Sequence, residues 1–118
     1  MFKNLKVYQI ALKLERQIRE IAAKLPKHEY KLKSQILNSS RSVRANIAEG
    51  YGRKRYQAEL CKFLNYALAS SDETQVHLDV IFDSKLIDKK YYPNIQKEYQ
   101  NLSVRLLNFI KTAEKNIN

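Results

Sequence analysis

The chain of 118 residues is poor in the residues that punctuate and cross-link a fold: one cysteine, two glycines, two prolines, two histidines and no tryptophan. Cys61 alone cannot close an internal disulfide, so the chain is expected in a reducing, cytoplasmic compartment. So few glycines and prolines cannot serve the many turns of an all-β fold. Neither His28 nor His77 sits in a metal-ligand pattern. Glu73 and His77 are four apart on one helix face, whereas di-iron bundles use Glu-x-x-His twice, with further glutamates on facing helices. No metal and no cofactor is expected. No apolar run approaches the roughly 18 to 20 residues needed to span a bilayer, and no charged-then-apolar leader is present, so no membrane partner is expected. The serines lack a Gly-x-Ser-x-Gly elbow, and Gly50 and Gly52 are not followed by Gly-Lys-Ser/Thr. Cys61, beside Leu60 and Phe63, reads as a small buried thiol. Asp72, Glu73, Asp79 and Asp83 spread round their helix as a solvated or intersubunit face, where a nuclease would need them gathered. No catalytic residue is expected.

What the chain has in quantity is helical periodicity. Val7, Ala11, Leu14, Ile18, Ile21 and Leu25 step alternately by four and three, a heptad seam that Pro26 closes, so a first helix ends near Lys24. Leu32, Ile36, Ser40, Val43 and Ile47 mark a second helix over about Lys31 to Glu49, with Gly50 expected as its left-handed cap. Ser39, Ser40 and Ser42 stand where apolar residues belong, which predicts close helix approach with locally satisfied hydroxyls. Tyr56 to Phe82 carries two adjacent stripes, led by Leu60 and Leu64, hence two buried faces. Ile95, Tyr99, Leu102, Leu106, Phe109 and Ala113, after Pro93, mark a fourth helix that frays over Asn116 to Asn118. Short connections at Lys27 to Tyr30, Tyr51 to Arg55 and Asp83 to Tyr92 predict a single domain over residues 1–118: an all-α, antiparallel up-down-up-down four-helix bundle with crossings near about +20°. A chain this short makes one core and leaves little room for an internal chamber.

Charge is the second signal. Twenty-two Lys and Arg against 12 Asp and Glu give a net +10 and a pI near 9.7. Residues 31–55 hold seven cations and one carboxylate, net +6, whereas residues 56–83 hold one cation and five carboxylates, net −4. Arg41, Arg44, Arg53, Lys54 and Arg55, with Tyr51 and Tyr56 interleaved, form the candidate nucleic-acid-binding set. Arginine forks suit phosphate oxygens and tyrosine rings stack on unpaired bases. No base-reading motif accompanies them, so the expected partner is RNA or DNA held by phosphates. The rival reading is an assembly or adaptor protein whose basic surface engages an acidic protein, with Tyr8, Tyr66, Tyr91 and Tyr92 supplying interface area.

Ser42-Val43-Arg44-Ala45-Asn46-Ile47-Ala48-Glu49-Gly50 resembles the S-I-x-x-N-I-A-E-G signature of the four-helix bundle proteins encoded in intervening sequences of bacterial 23S ribosomal RNA genes. Phe2-x-x-Leu5-x-Val7-Tyr8, Leu25-Pro26-x-x-Glu29 and Phe63-Leu64-x-x-Ala67-x-x-Ser70-x-x-Glu73 extend the resemblance over nearly the whole chain. It implies a left-handed bundle that assembles as a homopentamer. It also implies similarity to the accessory bundle proteins of diversity-generating retroelements, whose basic surface binds nucleic acid and a reverse transcriptase, so a reverse-transcriptase-like partner is a further expectation. Ala69 and Thr74 depart from the family pattern and are expected to loosen their layer slightly. Read physically, the motif residues Ser42, Asn46, Glu49, Gly50, Ser70 and Glu73 are structural. Asn46 and Glu49 are expected to bond the following turn or Ser70 and Glu73, Gly50 to cap the helix, and the turn so opened to carry the basic cluster.

Overall fold

The structure is a computed structural model that describes residues 1–117. Every regular element among them is helical: α1 (Lys6–Lys24), α2 (Tyr30–Gly52), α3 (Gln57–Asp83) and α4 (Ile95–Lys115), with 3-10 turns at Phe2–Asn4, Lys27–Glu29 and Lys89–Tyr91. The longest helix, 27 residues, spans about 40 Å at 1.5 Å per residue, and the molecule measures 49 × 22 × 21 Å. The helices therefore lie along one axis as a bundle. Packing is tightest between α2 and α3, then α3 and α4, then α1 and α2, and loosest between α4 and α1. None of the helices is long and apolar enough to cross a membrane.

The predicted seams form the core. Leu14, Ile18, Ile21, Ile36, Val43, Ile47, Leu64, Leu78, Leu102 and Leu106 are fully enclosed. Each side chain of that kind withdrawn from water contributes roughly 1.5–3 kcal/mol. In α4 the seam shifts by one residue: Ile110 is buried where the spacing pointed to Phe109, which packs only partly against the core. The serines behave as small bonded spacers. Ser39 Oγ donates to Ile36 O at 3.3 Å and Ser40 Oγ to Leu37 O at 3.1 Å, each one turn back. Thr74 does not loosen its layer. It is fully buried, and its hydroxyl lies within hydrogen-bond distance of both Ser39 Oγ (2.9 Å) and Ser70 O (2.8 Å), its one proton shared between them, which ties α3 to α2.

The helix ends bear out one expectation and correct another. Leu25 takes the extended conformation (φ −68°, ψ 143°) that the following proline demands, so α1 stops at Lys24 as read from the sequence. Gly50, however, does not cap α2. It lies inside a helix that runs on to Gly52, and no glycine has positive φ. Its role is close approach: a Cβ there would stand 3.0 Å from Phe63 Cβ and 3.4 Å from Leu60 O. The left-handed cap sits instead at the end of α3, on Lys85 (φ 57°), with Lys85 N–H bonded to Phe82 O and Leu86 N–H to Ile81 O, a Schellman pattern. Asn118, assigned from sequence to the frayed end of the last helix, lies outside the described residues.

Candidate nucleic-acid interface

The five candidate cations separate into three environments. Arg53, Lys54 and Arg55 stand together and exposed in the tight connection between α2 and α3. That connection forms because Arg53 N–H bonds Gly50 O and Tyr56 N–H bonds Arg53 O, reversing the chain within four residues. Arg41 is exposed on α2 about 18 Å further along the helix, twelve residues at 1.5 Å each. Arg44 turns inward.

Arg44 belongs to a buried ion pair. Its Nε donates to Glu15 Oε1 at 2.9 Å and its Nη2 to Oε2 at 3.3 Å, while Nη1 donates to the Tyr8 hydroxyl at 3.3 Å. Arg19 closes the far side of the same carboxylate at 2.5 Å. The Glu15 side chain is 1% exposed and that of Arg44 26%. Bonding to Glu15 first and Tyr8 second raises the Arg44 pKa above its usual value, so the guanidinium is charged at any accessible pH. Three of its five N–H donors are committed inside the bundle, and a phosphate seeking its bidentate face would have to displace a buried carboxylate.

In the connection itself, Arg53 bonds Glu49 (Nη2 to Oε1, 2.9 Å) and Glu59 (Nη1 to Oε1, 3.3 Å) and lies over the Phe63 ring at 5.1 Å. Glu49 foremost raises the Arg53 pKa, and Lys62 followed by Arg53 lowers that of Glu59. Lys54 Nζ donates to the Tyr51 hydroxyl at 2.9 Å, and the Met1 ammonium donates to the same oxygen at 3.3 Å. With Lys54 as the larger cause, the phenol is held below its usual pKa. The Arg55 guanidinium lies 5.7 Å from the Tyr56 ring. Among the described residues no carboxylate lies within ion-pair distance of Arg41, Lys54 or Arg55. Of the five candidates, these three are the ones left available to an external anion among the described residues.

The motif residues also divide. Asn46 Nδ2 donates to both Ser42 O and Ser42 Oγ at 2.9 Å, and Ser70 Oγ donates to Ser42 Oγ at 2.9 Å. Asn46 thus reaches α3 through Ser42, one turn back, and neither bonds the following turn nor touches Glu73. Glu49 holds Arg53, and Glu73 faces solvent beside His77 at 3.3 Å. Two of the acidic residues of α3 bond α4. Asp72 accepts from Ser103 Oγ at 2.8 Å and Asp79 accepts from Gln96. Among the described residues no three His, Cys, Asp or Glu side chains gather as a metal site would require. Cys61 is buried, and burial pushes its thiol pKa up, away from the reactive thiolate.

The sequence reading missed Glu15. The signal was present, because Tyr8, Glu15 and Ala22 repeat every seven residues beside the main seam of α1 and face α2. A carboxylate on such a stripe requires a cation from the neighbouring helix.

These features define an all-helical bundle with a basic, aromatic-rimmed connection between its second and third helices. The family model described as 23S rRNA-intervening sequence protein matches residues 3–108, and the chain belongs to that family. Among solved structures it is similar to a protein of unknown function from the S23 ribosomal protein family of Bacteroides thetaiotaomicron VPI-5482. The two share 26% identity with a TM-score of 0.80, over 94% of this chain and 99% of that one. Among curated proteins none matches the sequence.

Proposed function

We propose that the protein is a non-enzymatic, homo-oligomeric bundle that binds RNA or other nucleic acid by phosphate contacts at the connection between α2 and α3. The observation that carries this reading is the charge of Lys54 and Arg55, unpaired with any carboxylate among the described residues, at an exposed turn flanked by Tyr51 and Tyr56, with Arg41 on α2. Arg53 contributes less, since its fork is shared between two carboxylates, and Arg44 serves the bundle interior. Partner numbers support the up-down-up-down order: Met1 meets Tyr51 and Glu15 meets Arg44, Ser39 meets Thr74 and Ser42 meets Ser70, Cys61 meets Ile110 and Asp72 meets Ser103. In each pair of helices one number rises as the other falls. The heptad spacing supports left-handed packing.

The exposed Tyr66, Val76 and Val80 on α3 support self-assembly, because they interrupt an acidic helix that is complementary to the basic α2. Five subunits is the number the family resemblance implies. The same surface is also what an acidic adaptor partner would use, and competition separates the two. Fluorescence anisotropy of labelled structured RNA across a salt series, with polyglutamate as competitor, is the test. Three neutralised phosphates give a log–log salt slope of roughly −2 to −3. Lys54→Ala with Arg55→Ala reduces both affinity and slope. Binding that polyglutamate displaces as readily as RNA, or no binding at low salt, overturns the reading.

A further inference from the structure

At the far end of α1 from the basic connection, the chain entering α4 forms a cleft of about 120 Å3 lined by Gln17, Tyr91, Tyr92, Asn94 and Glu98 among others. Three features meet there. Tyr91 is 64% exposed, with Lys24 Nζ 5.8 Å and Lys90 Nζ 5.2 Å from the centre of its ring. Lys24 is fixed by its hydrogen bond to the Tyr92 hydroxyl at 2.9 Å. Gln17 Oε1 is buried and has no hydrogen-bond partner. Leaving such an acceptor unmet is costly, and the last torsion of a glutamine is soft enough to turn it towards the cleft. Lys24 suits an anion at the rim, where Lys90 is already 3.6 Å from Asp88. The exposed Tyr91 ring, attended only by the two flexible ammonium groups, suits a flat π-system. The orphaned Gln17 oxygen, with the Glu98 carboxylate in the same lining, suits an N–H donor. One class of ligand carries all three: a nucleotide whose base is unpaired and bears an exocyclic amine.

We propose that this cleft takes one unpaired base of a single strand that bears an exocyclic amine: adenine, cytosine or guanine, but not uracil. Tyr91 stacks on it, Gln17 Oε1 accepts from its amine, and Lys24 meets a flanking phosphate, with Lys90 shared between the strand and Asp88. Duplex RNA cannot use the site, because its bases are stacked and their Watson–Crick edges are paired. The inference extends the nucleic-acid reading to a second site of different chemistry, roughly 30 Å away along α1.

The test compares, by anisotropy, a short single-stranded oligoadenylate with the same strand built from purine, which lacks only the amine. The wild-type chain prefers the adenine strand by roughly fivefold. Gln17→Leu erases that preference while leaving the purine strand unaffected. Tyr91→Ala weakens both strands roughly tenfold, and Tyr91→Phe, which keeps the ring, restores them. Circular dichroism confirms that each variant is folded. Equal binding of the two strands by the wild-type chain, a preference that survives Gln17→Leu, or indifference to Tyr91→Ala overturns the inference. Lys54→Ala with Arg55→Ala separates the two sites: it weakens duplex RNA and leaves the adenine preference intact. Salt-steep duplex binding without adenine preference would sink the cleft alone, and failure to bind any nucleic acid would sink both.

Discussion

Breaking the Glu15–Arg44 pair from its two sides is expected to give unequal losses. Arg44→Leu strands a carboxylate that is 1% exposed, with only Arg19, itself 53% exposed, to hold it. Removing one partner of a buried pair costs about 3–5 kcal/mol. Glu15→Leu strands the guanidinium, but that side chain is already 26% exposed and can carry its head into water while its stem stays packed. The expected cost is about 1–2 kcal/mol. With both replaced by leucine, two apolar side chains meet where two charges stood, and the double variant lies within about 1 kcal/mol of wild type. Against a total of about 5–15 kcal/mol for a domain of this kind, the Arg44 variant loses a large fraction and the double variant recovers most of it. Urea unfolding followed by circular dichroism reads all four corners of the cycle, with an unchanged m-value showing that the denatured state is not involved. Equal losses from the two single variants, or a double variant whose loss is their sum, would refute the reasoning. The same proteins test function. Where Arg44→Leu is still folded, its RNA affinity and salt slope equal those of wild type, because the charge of Arg44 is compensated by Glu15.

Gly50→Ala forces a Cβ to within 3.0 Å of Phe63 Cβ and costs about 1–2 kcal/mol after the gain in helix propensity, whereas Gly52→Ala, with open space around it, stabilises by about 0.5 kcal/mol; thermal melts of the two variants check the contrast. Lys85→Gly relieves a left-handed lysine (φ 57°) and raises stability by roughly 0.5–1 kcal/mol in the same assay. Tyr99 is buried with an orphaned hydroxyl, and burial first and Glu15 second raise its pKa far above its usual 10.0. Because the raised pKa is that of the folded state, this contribution is intact below about 10 and is lost as pH climbs beyond it, so alkaline unfolding is expected there, and Tyr99→Phe both shifts it upward and adds about 1 kcal/mol at neutral pH. Asn46→Ala removes two bonds to Ser42 and lowers stability by about 1 kcal/mol, with RNA binding falling only alongside it; binding lost at intact stability would instead place Asn46 in direct contact with the ligand.

The heptad seams were legible because a helix that buries one stripe repeats its apolar residues at a fixed spacing, and that spacing is local. Leu14, Ile36, Leu64 and Leu102 could be assigned without knowing what they touch. The end of α1 was equally local, since Pro26 constrains Leu25 directly. Gly50 and Lys85 show where local reading stops. A glycine near a helix end has two uses, a left-handed turn or room for a neighbour. Which applies depends on Phe63, thirteen residues on in another helix. Conversely, no propensity marks a lysine for the left-handed position; the bonds of Leu86 and Lys85 back to α3 hold it there. The basic set failed in the same manner. Arg41 and Arg44 stand only three residues apart in the sequence, yet that rotates the second far enough to meet Glu15, and a cation's availability depends on the carboxylates of other elements. Charge density in sequence counts cations, whereas an interface depends on those left over after the fold has used its share. Of the five read from the sequence, Arg41, Lys54 and Arg55 remain uncommitted among the described residues, and on them the binding experiment turns.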